Sequence, residues 1–156
     1  MSTRDRIEFM RGVMDANSDA RLNEAIEDDI QKSEVINGTG LVLESCAINN
    51  RVLSCDFLVQ TAETTKEVYV YAGSGKKSSR LIDNQGNTYI ATLIDFGGRE
   101  STKYVQTSLP PDVPMRGRLT FENISNRATS AAIIEVKGKL DKKDVPPFEF
   151  RDVAFE

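Results

Sequence analysis

Residues 41–60 read LVLESCAINNRVLSCDFLVQ, and this stretch decides the fold. Apolar and polar side chains alternate through much of it, which is the period of a β-strand with one buried face. The polar run Asn49-Asn50-Arg51 interrupts the alternation, and asparagine tolerates the positive φ that tight hairpin turns need. The stretch therefore predicts a β-hairpin whose strands are residues 41–48 and 51–60.

The turn of this hairpin decides where the two cysteines lie. A turn on Asn50-Arg51 places Cys46 directly opposite Cys55, where a cross-strand disulfide fits if the pair is a non-hydrogen-bonded one. Such a bond would stabilise the fold by about 2–3 kcal/mol and would indicate an oxidising compartment. A turn on Asn49-Asn50 would leave two reduced cysteines in the core. The first register also puts Glu44 on the face of Cys46, so we expect Glu44 near an edge of the sheet.

Further strands are predicted beyond the hairpin. Alternating runs occur at 67–72, 81–82, 88–96, 102–109, 115–122, 130–137 and 148–155. Turn residues separate these runs, and no helical period lies between them. Many short strands at this spacing are typical of an all-β, immunoglobulin-like antiparallel β-sandwich, which we assign to residues 39–156.

Residues 1–38 have a helical pattern instead, and Asn37-Gly38 ends it. Their apolar stripe is narrow, which favours either a helix packed on the sandwich or self-association as a homo-oligomer. The candidate oligomerisation residues are Ile7, Met10, Met14, Leu22 and Ile26.

The composition limits the chemistry. The 156-residue chain has no histidine and only two cysteines, and histidine is the usual general base and the commonest metal ligand. Ser-His-Asp catalysis, Cys-His catalysis and most zinc sites are therefore excluded, and we expect no cofactor and no metal. An enzyme that uses carboxylates or lysine remains as a separate hypothesis.

Charge and hydropathy exclude two classes of partner. Residues 1–38 hold nine acidic and five basic side chains, so they carry the whole net charge of −4 and leave the sandwich neutral. A neutral sandwich behind an acidic segment is a poor match for nucleic acid. No apolar run approaches the roughly 18 residues of a membrane-spanning helix, so we expect no integral membrane segment. Charges interleave through residues 1–14, so the chain either is cytoplasmic or has lost an export signal.

Three motifs remain as candidate sites. Asp83-Asn84-Gln85-Gly86-Asn87 offers oxygen ligands for calcium but also has the residues of a tight turn, and the turn is favoured because an EF-hand's length and distal glutamate are missing. The loop 73–78 lacks the spacing of a phosphate loop. Tyr69 and Tyr71 share a strand face, and they are the candidate protein-contact residues because tyrosine is enriched in interfaces.

Two segments carry a family resemblance. They are 79–89, SRLIDNQGNTY, and 109–122, LPPDVPMRGRLTFE. Together with the one-cysteine-per-strand hairpin, they resemble bacterial exported immunoglobulin-like proteins of unknown function, which are often lipoproteins or periplasmic. The resemblance implies an extracytoplasmic sandwich without assigned catalytic residues.

These observations favour a non-catalytic protein-interaction or scaffolding module with a protein partner, periplasmic or extracellular. The alternative is an oligomeric assembly subunit, of a virion or an appendage, that self-associates through its N-terminal helix.

Overall fold

The structure, a computed structural model, describes residues 33–73 and 77–156. All regular structure in these ranges is β-strand. The strands are β1 (Ser33–Ile36), β2 (Thr39–Asn49), β3 (Val52–Thr61), β4 (Lys66–Tyr71), β5 (Arg80–Asp83), β6 (Thr88–Ile90), β7 (Leu93–Phe96), β8 (Arg99–Ser101), β9 (Tyr104–Leu109), β10 (Met115–Phe121), β11 (Ser130–Val136), β12 (Gly138–Leu140), β13 (Lys143–Asp144) and β14 (Phe148–Ala154). Within these ranges no helix is long and apolar enough to cross a membrane.

The strands form three antiparallel sheets. One has six strands in the order β1-β2-β3-β10-β7-β8, and two have four, in the orders β14-β11-β5-β6 and β13-β12-β4-β9. Only Lys137 separates β11 from β12, so one run of chain passes from one four-stranded sheet into the other. Buried side chains from all three sheets, including Leu53, Phe57, Val68 and Val70, form a single core cluster. The all-β, antiparallel prediction is confirmed, and the packing is consistent with a β-sandwich.

Two-residue turns set the register of four hairpins. Both central residues have positive φ in Asn37-Gly38, Asn50-Arg51, Gly97-Gly98 and Asp141-Lys142. This is the geometry of a type I′ turn, whose twist matches that of the flanking strands. The turn on Asn50-Arg51 is therefore the correct one of the two alternatives, and it places Ile48 opposite Leu53.

The predicted disulfide is confirmed. Cys46 lies opposite Cys55 in the β2–β3 register, and their sulfur atoms are bonded, with 4.0 Å between the two Cα atoms. Both cysteines are buried in the core.

The structure accommodates Glu44 through a β-bulge. The β2–β3 register shifts between Leu43 and Ser45, so Leu43 pairs with Phe57 and both remain buried. A bulge adds one residue to one strand and thereby changes which face the following residues occupy. The Glu44 carboxylate lies 3.5 Å from the Arg116 guanidinium, which is ion-pair distance.

Two predicted segments differ from the structure. Residues 33–36, assigned to the helical segment 1–38, form β1, which pairs with residues 39–42 of β2; the Asn37-Gly38 turn starts a hairpin here instead of ending a helix. The run 88–96 divides into β6 and β7 because Ala91 donates its N–H to Ser79 while Thr92 donates to Thr120 in another sheet. The five candidate oligomerisation residues, from Ile7 to Ile26, lie outside the described residues.

Candidate functional site

Three tyrosines form a cluster on the outer face of the sheet β13-β12-β4-β9. Tyr69 and Tyr71 alternate along β4 with Val68 and Val70, which are buried beneath them. Tyr104 on β9 lies directly opposite Tyr71. Its ring centroid is 5.6 Å from that of Tyr71 and 6.1 Å from that of Tyr69. The structure thus brings together both sequence-predicted contact residues and adds a third, and we call the three the tyrosine cluster.

Polar and charged groups surround this cluster. Tyr69 has Lys139 opposite it on β12 and Gln106 opposite it on β9. Lys139 lies 3.8 Å from Asp144. Burial raises the pKa of Tyr71 above its ordinary value; Lys77 opposes this effect, and Asp144 and Tyr104 add to it. Tyr71 therefore keeps its phenolic proton near neutral pH, and its hydroxyl can both donate and accept a hydrogen bond.

The edge strand β9 continues this surface. The N–H of Ala72 donates to the carbonyl of Lys103, so Ala72 and Lys103 form a hydrogen-bonded pair. From that pair onward, hydrogen-bonded and non-hydrogen-bonded pairs alternate between β4 and β9. Tyr104, Gln106 and Ser108 stand in the non-hydrogen-bonded pairs, so their backbone N–H and C=O groups point away from β4. The N–H of Tyr104 donates to Ser101 Oγ. Within the described part of the chain no strand pairs with β9 on the side where Gln106 and Ser108 present their backbone.

An open groove runs along this edge. It has a volume of about 690 Å³ and is lined by residues of β8 and β9, by Lys103 between them and by Glu67 of β4. Arg99 pairs with the buried Phe96, so it lies on the face of its sheet that is directed toward β9. An unpaired edge beside an open groove is the geometry by which sheets accept an extended segment as an additional strand.

The Asp83 loop is a structural turn, as the sequence favoured. Oδ1 accepts hydrogen bonds from the N–H groups of Gln85 and Asn87 at 2.8 and 2.9 Å. Oδ2 accepts from the Asn87 amide and from the Tyr89 hydroxyl, the latter at 2.7 Å. Burial raises the pKa of Asp83, but these four hydrogen bonds outweigh it and hold that pKa below its ordinary value. The carboxylate is 1% exposed, so its lone pairs serve the protein's own donors.

Metal-ligating groups are spread apart in this part of the molecule. Across residues 33–73 and 77–156, no three His, Cys, Asp or Glu side chains lie close enough together to hold a metal ion. Residues 74–76 of the glycine- and lysine-rich loop lie outside the described residues.

The sequence analysis does not identify Tyr104 as a contact residue, although the alternation of its strand indicates that it is exposed. The run 102–109 was predicted as a strand, and within it Tyr104, Gln106 and Ser108 alternate with the buried Val105 and Leu109. This alternation places Tyr104 on the solvent face. Its position beside Tyr71 depends on the pairing of β4 with β9, which the local sequence does not specify.

Comparisons with known proteins give a structural likeness and no match to a family model or a curated protein. Among solved structures the chain is similar to MPT63, a secreted protein from Mycobacterium tuberculosis, with 10% sequence identity and a TM-score of 0.41. The match covers 72% of this chain and 82% of that one.

Proposed function

We propose that this protein is a non-catalytic protein-interaction module, built on an immunoglobulin-like β-sandwich, that works in the bacterial envelope or outside the cell. The observation that carries the proposal is the tyrosine cluster beside the unpaired edge of β9. The Tyr104 ring lies against both Tyr69 and Tyr71; Tyr104 is 48% exposed, and the other two are half-buried.

The physical chemistry of tyrosine supports a contact surface. A tyrosine ring offers a large apolar area with a polar end, and it loses little conformational entropy on binding because it has only two side-chain torsions. The buried Val68 and Val70 hold β4 against the core, so the rings stand on a rigid strand. The backbone of Gln106 and Ser108 offers hydrogen bonds to any extended segment laid along β9. Rings would then contribute specificity while the backbone contributes affinity.

The disulfide supports the proposed compartment. Cys46 and Cys55 are bonded, and disulfides form and persist mainly in oxidising environments such as the periplasm and the cell exterior. A buried bridge that holds a hairpin of the core has a structural role, not a catalytic one. It therefore favours an exported protein over a cytoplasmic one.

A matched pair of variants tests the interaction surface. The full chain, a Tyr71→Ala/Tyr104→Ala double variant and an Ile90→Ala control are each immobilised and exposed to proteins of the native envelope. Ile90 is 40% exposed on β6 of another sheet, so its replacement removes exposed apolar area outside the tyrosine cluster. We expect a partner that wild type and the control retain equally and that the double variant retains at least about tenfold less, which corresponds to about 1.4 kcal/mol. Equal retention by the double variant, or no specifically retained protein, would contradict the proposal.

A further inference from the structure

A second concavity lies where three connections of the chain meet, and it shares no residue with the tyrosine cluster. The β2–β3 turn contributes Arg51, the β5–β6 turn contributes Asn87, and the β10–β11 loop contributes Asn123, Asn126 and Arg127. Its volume is about 600 Å³. We call it the arginine pocket.

Hydrogen bonds fix the loop that forms one wall of this pocket. Ile124 is fully buried; its N–H donates to the carbonyl of Arg51, and its own carbonyl accepts from Arg51 Nε at 2.9 Å. On the other side, the N–H of Ser125 donates to the Tyr89 hydroxyl at 3.0 Å, and that hydroxyl in turn donates to the buried Asp83. The wall is therefore held in place before any ligand arrives, which lowers the entropy cost of binding.

The polar side chains that line the pocket, Arg51, Asn123, Asn126 and Arg127, are exposed to solvent. Arg51 uses only its Nε in the contact with Ile124, so both of its terminal amino groups can donate elsewhere. In the described part of the chain the side chains of Asn123, Asn126 and Arg127 have no hydrogen-bond or ion-pair partner. No carboxylate lines the pocket. Two guanidinium groups thus share one concavity without a counter-charge in its lining.

From this arrangement we propose that the arginine pocket binds an anionic saccharide. A guanidinium group presents a fork of N–H donors that matches the oxygens of a carboxylate, phosphate or sulfate. Each asparagine amide supplies both a donor and an acceptor, which is what a hydroxyl group requires of its partner. Arg51 and Arg127 take the oxyanion, and the asparagine side chains take hydroxyl groups next to it. This proposal is independent of the tyrosine cluster and of the proposed protein partner.

Titration of the ¹⁵N-labelled full chain tests the pocket directly. The probes are glucuronate, acetate, glucose and inorganic phosphate, followed through the backbone amide signals of residue 51 and residues 123–127. We expect saturable shifts of these amides with glucuronate, at an affinity roughly tenfold above those of acetate and glucose, because only glucuronate engages both kinds of group.

Two variants and a control assign the residues. Arg127→Gln removes a guanidinium that makes no hydrogen bond or ion pair within the described residues, and it should weaken glucuronate binding roughly tenfold. Asn126→Ala should weaken glucuronate binding and leave acetate binding unchanged. Arg151→Gln on β14 removes an exposed charge whose nearest carboxylate, Glu149, is 3.7 Å away, and it should leave both affinities unchanged.

Three outcomes would overturn the proposal. If glucuronate binds no more tightly than acetate, the ligand is not a saccharide. If glucuronate binding is unchanged in Arg127→Gln, the arginine pocket is not the binding site. Phosphate that binds more tightly than glucuronate would make the pocket a site for a bare inorganic anion.

Discussion

Replacing Asp83 by asparagine should destabilise the fold by more than an ordinary neutral hydrogen bond contributes, which is about 0.5–1.5 kcal/mol. The Asp83 carboxylate is 1% exposed and accepts four hydrogen bonds, two at each oxygen. The Asp83→Asn variant keeps one oxygen, which can still accept from the N–H groups of Gln85 and Asn87. The new NH2 group replaces Oδ2 and cannot accept a hydrogen bond, so the Asn87 amide and the Tyr89 hydroxyl lose their acceptor.

The structure sets the size of the loss. A hydrogen bond to a charged acceptor contributes about 1.5–3 kcal/mol, and a buried donor without a partner adds a further cost. Two such bonds are lost at the second oxygen, while rotation of the Tyr89 hydroxyl recovers part of one. We therefore expect the free energy of unfolding to fall by about 2–4 kcal/mol at pH 7.

The pH dependence gives a second, independent signature. The hydrogen bonds hold the pKa of Asp83 in the folded state below its ordinary value, which is about 3.9 in an unfolded chain. A depressed pKa contributes stability that is complete above the unfolded value and is lost as the pH falls through the folded value. Asparagine does not titrate. The stability difference between wild type and Asp83→Asn should therefore be largest near pH 7 and shrink below about pH 4.

Urea unfolding followed by far-ultraviolet circular dichroism measures both quantities, since the chain has no tryptophan for fluorescence. The matched control is Asp56→Asn. Asp56 also accepts two hydrogen bonds, from Arg118, but on the exposed face of the sheet, so its replacement should cost less than about 1 kcal/mol. A loss below about 1 kcal/mol for Asp83→Asn at pH 7, or a difference that stays constant down to pH 3, would refute the reasoning.

Three further predictions test other parts of the molecule. Gly117→Ala places a Cβ 2.3 Å from the ring of the fully buried Phe57; overpacking should cost about 1–3 kcal/mol in the same unfolding assay, and an unchanged midpoint would contradict that packing. The Cys46→Ala/Cys55→Ala double variant should lose about 2–3 kcal/mol, and a reductant should then have no further effect on it; stability equal to that of the oxidised wild type would contradict the contribution of the disulfide. Static light scattering on the full chain and on a chain beginning at residue 33 tests self-association through the N-terminal segment: the hypothesis expects an oligomer only of the full chain, and a monomer in both cases would end it.

Local features of the sequence were sufficient to predict the β2–β3 hairpin, except for its exact turn. Asn50 and Arg51 both adopt positive φ, and arginine is an unusual second residue for such a turn, where glycine is preferred. What holds Arg51 there is its hydrogen bond to Ile124, 73 residues away in the sequence. The local sequence pattern does not reveal a contact at this separation, so the sequence alone could not distinguish a turn on Asn50-Arg51 from one on Asn49-Asn50.

Long-range pairing also explains the segments that were predicted incorrectly. The four residues of β1 form a strand because they pair with residues 39–42 of β2, although the preceding pattern is helical. The break between β6 and β7 arises because Ala91 donates to Ser79, just before β5, while Thr92 donates to Thr120 of β10. In both places the local sequence is compatible with more than one structure, and tertiary contacts determine which one forms.

The candidate sites were predictable to different extents. The alternation in β4 was enough to place Tyr69 and Tyr71 on one face, because a strand has a fixed period of two. Tyr104 joins them only through the pairing of β4 with β9. The arginine pocket combines residues from three connections, so its assembly depends on the whole sandwich, and no single segment of sequence has the pattern of a binding site.

The last strand has a consequence for how the chain matures during synthesis. Phe155 lies beside Cys46 in a parallel bridge, and Glu156 donates its N–H to the Cys46 carbonyl. The residues that pair with the Cys46 backbone are therefore made about 100 residues after Cys55 has appeared. Because the β2–β3 hairpin is a local pairing, it can form before these C-terminal residues dock beside Cys46.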